Sequence, residues 1–182
     1  DKTITLGTLA STGDVSLNSS GTAGNAVVNN TTTALGLATS TIGGTLTAET
    51  DNSITVNGTV TSAGTTSVSA SDDVVFAAAG ALASGNGNIT VTADDDNTPS
   101  GTGGAMTMAN GATINSGTGT ITLSADEDIA LGGLTTTNAT GAAVSITSDN
   151  GSIIDGGDTS FDITASTTGA VVTLTAKNAI GT

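Results

Sequence analysis

Apolar residues alternate with Thr or Ser in short runs that recur along the chain, most clearly in Thr120-Ile-Thr-Leu-Ser-Ala-Asp-Glu-Asp-Ile-Ala-Leu131. Two alternating apolar residues lead to a small residue, a polar corner follows, and a second alternating apolar pair comes after it. Residues 66–76, 88–96 and 171–180 repeat that order. A period of two places successive side chains on opposite faces of a strand, with the apolar ones on a single face. No stretch keeps a 3.6-residue apolar spacing, and β-branched residues dominate the runs, so the pattern predicts strands and no helix.

The register can be followed through the chain. Ile121, Leu123 and Ala125 form a first strand, Asp126-Glu127-Asp128 a corner, and Ile129 and Leu131 a second strand. Thr66, Val68 and Ala70 lead in the same way to Val74 and Phe76, and Ile89, Val91 and Ala93 lead to the corner Asp94-Asp95-Asp96. Val144, Ile146 and Ser148 begin another copy, and Val172, Leu174 and Ala176 a further one. First strands therefore start at positions 66, 89, 121, 144 and 172. The steps from 66 to 89 and from 121 to 144 are equal, and the two others are longer. A weaker third strand is marked by Val60, Leu82, Ile114 and Leu134.

Units of this kind bury their apolar face only by stacking on one another. The expected fold is all-β, a parallel β-helix (β-solenoid) of about 23-residue coils, with small residues such as Ala70, Ala93, Ala125 and Ala176 at tight inner corners. A β-sandwich is the alternative, since short strands between turns suit it as well. Residues 1–182 are expected to form a single solenoid segment, with loop insertions at 97–104 and 155–160 that account for the longer steps. Residues 18–44 have the right elements in an irregular spacing, which leaves one enlarged coil or two compressed ones open. Ile4 and Leu6 match the second-strand places of Ile129 and Leu131, and residues 172–180 break off as a second strand begins. Both ends are thus expected to be uncapped, which suits either an excerpt of a longer repeat protein or a subunit that stacks head to tail.

Composition makes the stack the better account of the pattern. The chain has 182 residues, 36% apolar and 1% aromatic, with 26 Gly, too few large side chains for an ordinary globular core. A mean hydropathy of +0.19 and the regular alternation argue for order over a disordered Ser/Thr/Gly-rich tract. Cysteine is absent, so disulfides and thiolate chemistry are excluded. No apolar run approaches the ~20 residues that span a bilayer.

The net charge is −14, from 16 acidic residues against Lys2 and Lys177. Phosphate backbones and anionic membrane surfaces both require cations that this chain lacks, so neither is an expected partner.

The phrases Gly44-Thr-Leu-Thr-Ala-Glu-Thr-Asp-Asn-Ser-Ile-Thr-Val-Asn-Gly-Thr-Val60 and Gly119-Thr-Ile-Thr-Leu-Ser-Ala-Asp-Glu-Asp-Ile-Ala-Leu-Gly-Gly-Leu134 resemble the repeats of filamentous-haemagglutinin-like bacterial exoproteins. The resemblance covers most of residues 44–182. It implies a right-handed parallel β-helix, an extracellular or cell-surface location on a bacterium, and an adhesive or scaffolding role. The amino-terminal secretion domain of such exoproteins has no recognisable counterpart in this sequence.

Catalysis is not expected. Histidine and arginine are absent, so a lyase would lack both its base and the cations that neutralise a uronate. Two carboxylates could serve a glycoside hydrolase, but without Trp or Tyr a sugar has no aromatic platform. The abundant hydroxyls have no activating base.

The acidic corner is the remaining chemical feature. The register places Asp72, Asp73, Asp94, Asp95, Asp96, Asp126, Glu127 and Asp128 at one corner of successive coils, about 4.8 Å apart. Exposed turn carboxylates screened by salt are the simpler account. The functional alternative is a Ca²⁺ ion bridging neighbouring corners, with these eight residues as its candidate ligands. Lys2 and Lys177 are expected beside the same corner at opposite ends. No cofactor is required by anything in the sequence.

Asn-x-Ser/Thr triplets at Asn18, Asn29, Asn30, Asn57, Asn88, Asn138 and Asn150 are as frequent as this composition produces by chance. Thr ladders such as Thr45/Thr47 could offer hydroxyls to ice, although the variable coil length argues against a regular array. The function expected is structural: the shaft of a surface adhesin or the body of an extracellular filament, partnered by copies of itself or by flanking repeats. The alternative is a solenoid that binds glycan, including host or matrix glycans, ice or a mineral surface.

Overall fold

Each Thr-Ile-Thr-Leu-type phrase becomes a strand whose first, third and fifth side chains point inward. In Ile121–Ala125 these are Ile121, Leu123 and Ala125, all buried, while Thr122 and Ser124 face outward and are half-buried. The corner that follows turns the chain through one edge of a triangular coil. Two shorter strands complete the circuit before the chain returns directly above its starting point.

The computed structural model describes residues 2–31, 33–96, 103–157 and 159–181. Most of the loop expected at 97–104 lies outside the described residues, as does Asp158 of the loop expected at 155–160. The described residues contain no helix, and so none long and apolar enough to cross a membrane.

Three parallel sheets run along the stack. The first has eight strands in chain order, from Ile4–Leu6 and Ala26–Asn30 through Leu46–Thr50, Thr66–Ala70, Ile89–Ala93, Ile121–Ala125 and Val144–Ser148 to Val172–Ala176. The second and third have six each. The second contains Val74–Phe76, Met106–Met108 and Ile129–Leu131, and the third contains Ala81–Ser84, Thr113–Asn115 and Gly133–Thr136. All pairings between these strands are parallel, which sets the sandwich aside. The protein is a parallel β-solenoid of about six turns.

Successive first-sheet strands start at Ala26, Leu46, Thr66, Ile89, Ile121, Val144 and Val172, so coil length is uneven along the stack. The register does not follow these lengths. Across the longest coil Ile89 still pairs with Ile121 and Val91 with Leu123. Across the next longest, Val144 pairs with Val172. The differences in length fall between the strands, so the strand pairing is kept.

The amino-terminal part of the chain resolves in the same terms. Ala26–Asn30 lies in the first sheet, and Leu35–Leu37 and Ser40–Ile42 complete one compact coil before Leu46. Before it, Val15 bridges to Leu37 and Asn18 to Thr41, so these two residues occupy the second and third sides of a preceding coil. Ile4–Leu6 pairs with Ala26, Val27 and Val28 and therefore belongs to the first sheet, not to the second-strand place its sequence suggests. So short an alternation fits either place, and only the partner strand distinguishes them.

The core is a continuous column of Leu, Ile, Val, Ala and Met, with Phe76 among its largest members. Val60, Leu82, Ile114 and Leu134 supply its third side and are all buried. Ala70, Ala93 and Ala125 fill the inner corner before the second sheet. In other coils that corner position is polar and satisfied: Asn30 donates to the Ala34 carbonyl at 3.0 Å, Thr50 to the Asn30 carbonyl at 2.7 Å, and Ser148 to the Glu127 carbonyl at 2.7 Å. A buried hydroxyl or amide is tolerated there because the turn presents carbonyls that would otherwise lack donors.

Candidate functional site at the acidic corner

The corner between the first and second sheets carries the carboxylates. Asp72 and Asp94 are stacked on successive coils, with the Asp94 amide donating to the Asp72 carbonyl at 3.2 Å. The stripe is then interrupted before Asp126. Gly103 and Gly104, which close the long insertion, are wedged into it with φ of +110° and +94°. A β-carbon on Gly104 would stand 3.0 Å from that of Asp94 and 3.2 Å from that of Asp126. Gly104 thus separates these two aspartates, and its own carbonyl accepts the Glu127 amide at 3.0 Å. Only glycine combines that backbone conformation with so close an approach.

Several of the eight residues are committed to stitching coils together. Asp73 Oδ1 accepts the Ala105 amide at 3.0 Å across the insertion, and Asp128 Oδ1 accepts the Ser152 amide at 2.7 Å from the coil above. Asp95 accepts the hydroxyls of Ser69 at 2.5 Å and Ser71 at 2.9 Å. Asp126 Oδ1 accepts the Asn150 side-chain amide at 2.6 Å. Glu127 is half-buried, and Asp96 is exposed. The bonds are charge-assisted and go to groups that a corner would otherwise leave to water.

Calcium needs six to eight oxygens around one point. Among the described residues no three acidic side chains are grouped closely enough to hold one ion. Asp126, Glu127 and Asp128 do border a shallow depression with Asn150, Gly151 and Asn178, but Asp126 and Asp128 each give an oxygen to the bonds just described. The described corner therefore offers a bridging calcium no closed set of ligands. Melting the protein in excess chelator is expected to leave the transition where it is in buffer, as followed by circular dichroism.

The two lysines part company. Lys177 stands above this corner and donates to Asn150 Oδ1 at 2.6 Å. Lys2 precedes the strand Ile4–Leu6 and lies beside Asn18, Ser19 and Ser20, at the corner between the third and first sheets. Its displacement follows from the placement of Ile4–Leu6 in the first sheet.

A second set of polar residues has no counterpart in the sequence analysis. Ser62, Ser84, Ser116 and Thr136 stand at the carboxyl ends of the third-side strands and are buried. Ser62 donates to the Gly64 carbonyl at 2.8 Å, Ser116 to that of Gly119 at 2.7 Å, and Thr136 also to Gly119 at 2.7 Å. Ser84 bonds the Gly87 carbonyl in the same way. They close the turn from the third sheet back to the first. For the three serines the signal is a hydroxyl shortly before a glycine, hidden because Ser, Thr and Gly are common everywhere in the chain.

Comparison with protein-family models, with curated proteins and with solved structures finds no match to this chain, so the strand pairing itself is what establishes it as a parallel β-solenoid.

Proposed function

We propose that this chain is a stiff shaft segment of an extracellular structural protein, in a bacterial surface adhesin or filament of the filamentous-haemagglutinin-like kind. The observation that carries the reading is the unbroken ladder: eight first-sheet strands stay in register although the coils between them differ in length. A sequence that tolerates insertions at corners yet holds every rung preserves a rod. Successive rungs are about 4.8 Å apart, so the axis advances steadily with each coil. The partners of such a shaft are further coils of the same type, in the same chain or in a second copy.

The chemistry of the surface supports a structural role over catalysis. Corner carboxylates are taken up in bonds between coils, and histidine, arginine, tryptophan and tyrosine are missing from the sequence. High negative charge keeps a long rod soluble and apart from its neighbours. Antibodies against the chain, applied to intact cells of its source, are expected to label fibrous material outside the envelope. Label seen only after permeabilisation would overturn the reading.

A further inference from the structure

We propose that the outer face of the first sheet is an ice-binding surface. Each of the five strands from Thr66–Ala70 to Val172–Ala176 carries Ser or Thr at both of its outward positions. The result is two parallel columns of hydroxyls on a single sheet. Rungs are about 4.8 Å apart, and the two hydroxyls on a rung about 6.6 Å, twice the rise per residue.

Variable coil length, which in the sequence argues against a regular array, does not reach this face. The longest coil separates Thr90 and Thr92 from Thr122 and Ser124, yet Thr90 pairs directly with Thr122 and Thr92 with Ser124. The next rung continues the columns, with Ser145 on Thr122 and Thr147 on Ser124. Hydroxyl positions are therefore fixed by the backbone ladder and spaced as a lattice.

Two further features separate this face from an ordinary polar surface. Inward hydroxyls such as those of Ser62, Ser116 and Thr136 bond the protein's own carbonyls, whereas among the described residues Ser69 is the one member of the ten whose hydroxyl is engaged, by Asp95. The others have their hydrogen-bonding capacity free for an external partner. Charge on this face is sparse: in a chain of net charge −14, the outward positions of the first-sheet strands include a single charged residue, Glu49, in the strand that adjoins the array at its amino-terminal end, and Asp95 reaches in from the corner to the first rung at Ser69. The second and third sheets lack the pattern, with Val75, Ala130, Ala81 and Ala83 among their outward residues.

The occupant follows from what the face lacks. A glycan surface would use aromatic platforms, but Phe76 is buried and Phe161 is not part of this sheet. A mineral surface would use carboxylates, which lie at the corner instead. Protein partners are anchored by aromatic and arginine side chains, which are absent from the face. A periodic array of hydroxyls and methyls, with charge only at its amino-terminal edge, suits a partner that is itself a lattice of hydrogen-bonding oxygens. The prism face of hexagonal ice repeats along two perpendicular axes at comparable spacings. Because the sheet already holds the hydroxyls in place, ordering water against them costs little side-chain entropy.

The test is partition of the purified chain into a slowly growing ice crystal, together with the shape of single crystals held just below freezing. The wild-type chain is expected to enter the ice and to produce faceted crystals. Thr122→Lys, in the centre of the array, should lower partition about tenfold, the equivalent of ~1.4 kcal/mol. Thr135→Lys, on the outer face of the third sheet, should partition as the wild type does, with circular dichroism confirming that both variants keep their strands. Exclusion of the wild-type chain from ice overturns the proposal. So does equal loss in the two variants, or saturable binding to crystalline cellulose or chitin in place of ice.

Discussion

Replacing Phe76 by Ala is expected to lower stability by about 3–5 kcal/mol, the range for deleting a fully buried phenyl ring. Phe76 has no exposed surface and sits in the inward column of the second sheet, between Val56 below and Met108 above. In a stack, each coil is supported by its two neighbours, so a cavity at one level removes packing from three. Met108 is flexible enough to fill part of the space, which favours the lower end of the range. For a domain of this size each kcal/mol moves the midpoint by about 2–4 °C, so a fall of roughly 6–20 °C is expected in a thermal melt. The chain carries its own control in its other phenylalanine. Phe161 is 85% exposed, and Phe161→Ala should change stability by no more than about 0.5 kcal/mol. Equal shifts for the two variants would contradict the placement of Phe76 in the core.

The second large effect is expected from Thr122→Pro. Thr122 lies in an interior strand, paired with Thr90 on one side and Ser145 on the other. Proline removes the amide donor from the ladder, and leaving its partner carbonyl unsatisfied inside a sheet costs about 1–3 kcal/mol. Its consequence is local in a way that a globular protein would not show. The strand ladder joins only adjacent coils, so the break falls between the stack below Ile121–Ala125 and the stack above it. Amide exchange should accelerate in Ile89–Ala93 and Val144–Ser148, while Ala26–Asn30 and Leu46–Thr50 keep their protection. Uniform acceleration along the chain would mean that the solenoid opens as one cooperative unit instead.

Both effects rest on positions that are legible in the sequence. Core residues such as Ile121, Leu123, Ile129 and Leu131 are identified by alternation alone, because period two has a single consequence once one face must be buried. The corner alanines and the third-side residues Val60, Leu82, Ile114 and Leu134 follow from the same register. The sequence is less informative where the local pattern is short. Thr3-Ile-Thr-Leu6 suits a first or a second strand equally well, and the wrong choice carries Lys2 to the wrong corner.

The candidate site is legible only in part, for a different reason. The register correctly puts Asp72, Asp94 and Asp126 at one corner, but it does not show Gly104 inserted between the last two. Where Gly103 and Gly104 meet the corner is decided by contacts with Asp72, Asp94 and Asp126 on separate coils, which residue type does not encode. Nor can hydrogen-bond partners such as Ala105 for Asp73, or Ser152 for Asp128, be foreseen, since each pair joins separate coils.

Residue type and a spacing of two are local properties, and they are enough to specify the strands, their inward faces, the repeat and the exclusion of a thiolate, a histidine or an arginine site. Which strand stacks on which emerges only in the assembled coil. So do the alignment of rungs across insertions of different length and the lattice of outward Ser and Thr on one sheet, with carboxylates held at its edge. Parallel strands in a solenoid satisfy their backbone across a whole circuit of the chain, as Ala26 does with Leu46 and Ile89 with Ile121, so the pairing is chosen by the stack rather than by any one phrase.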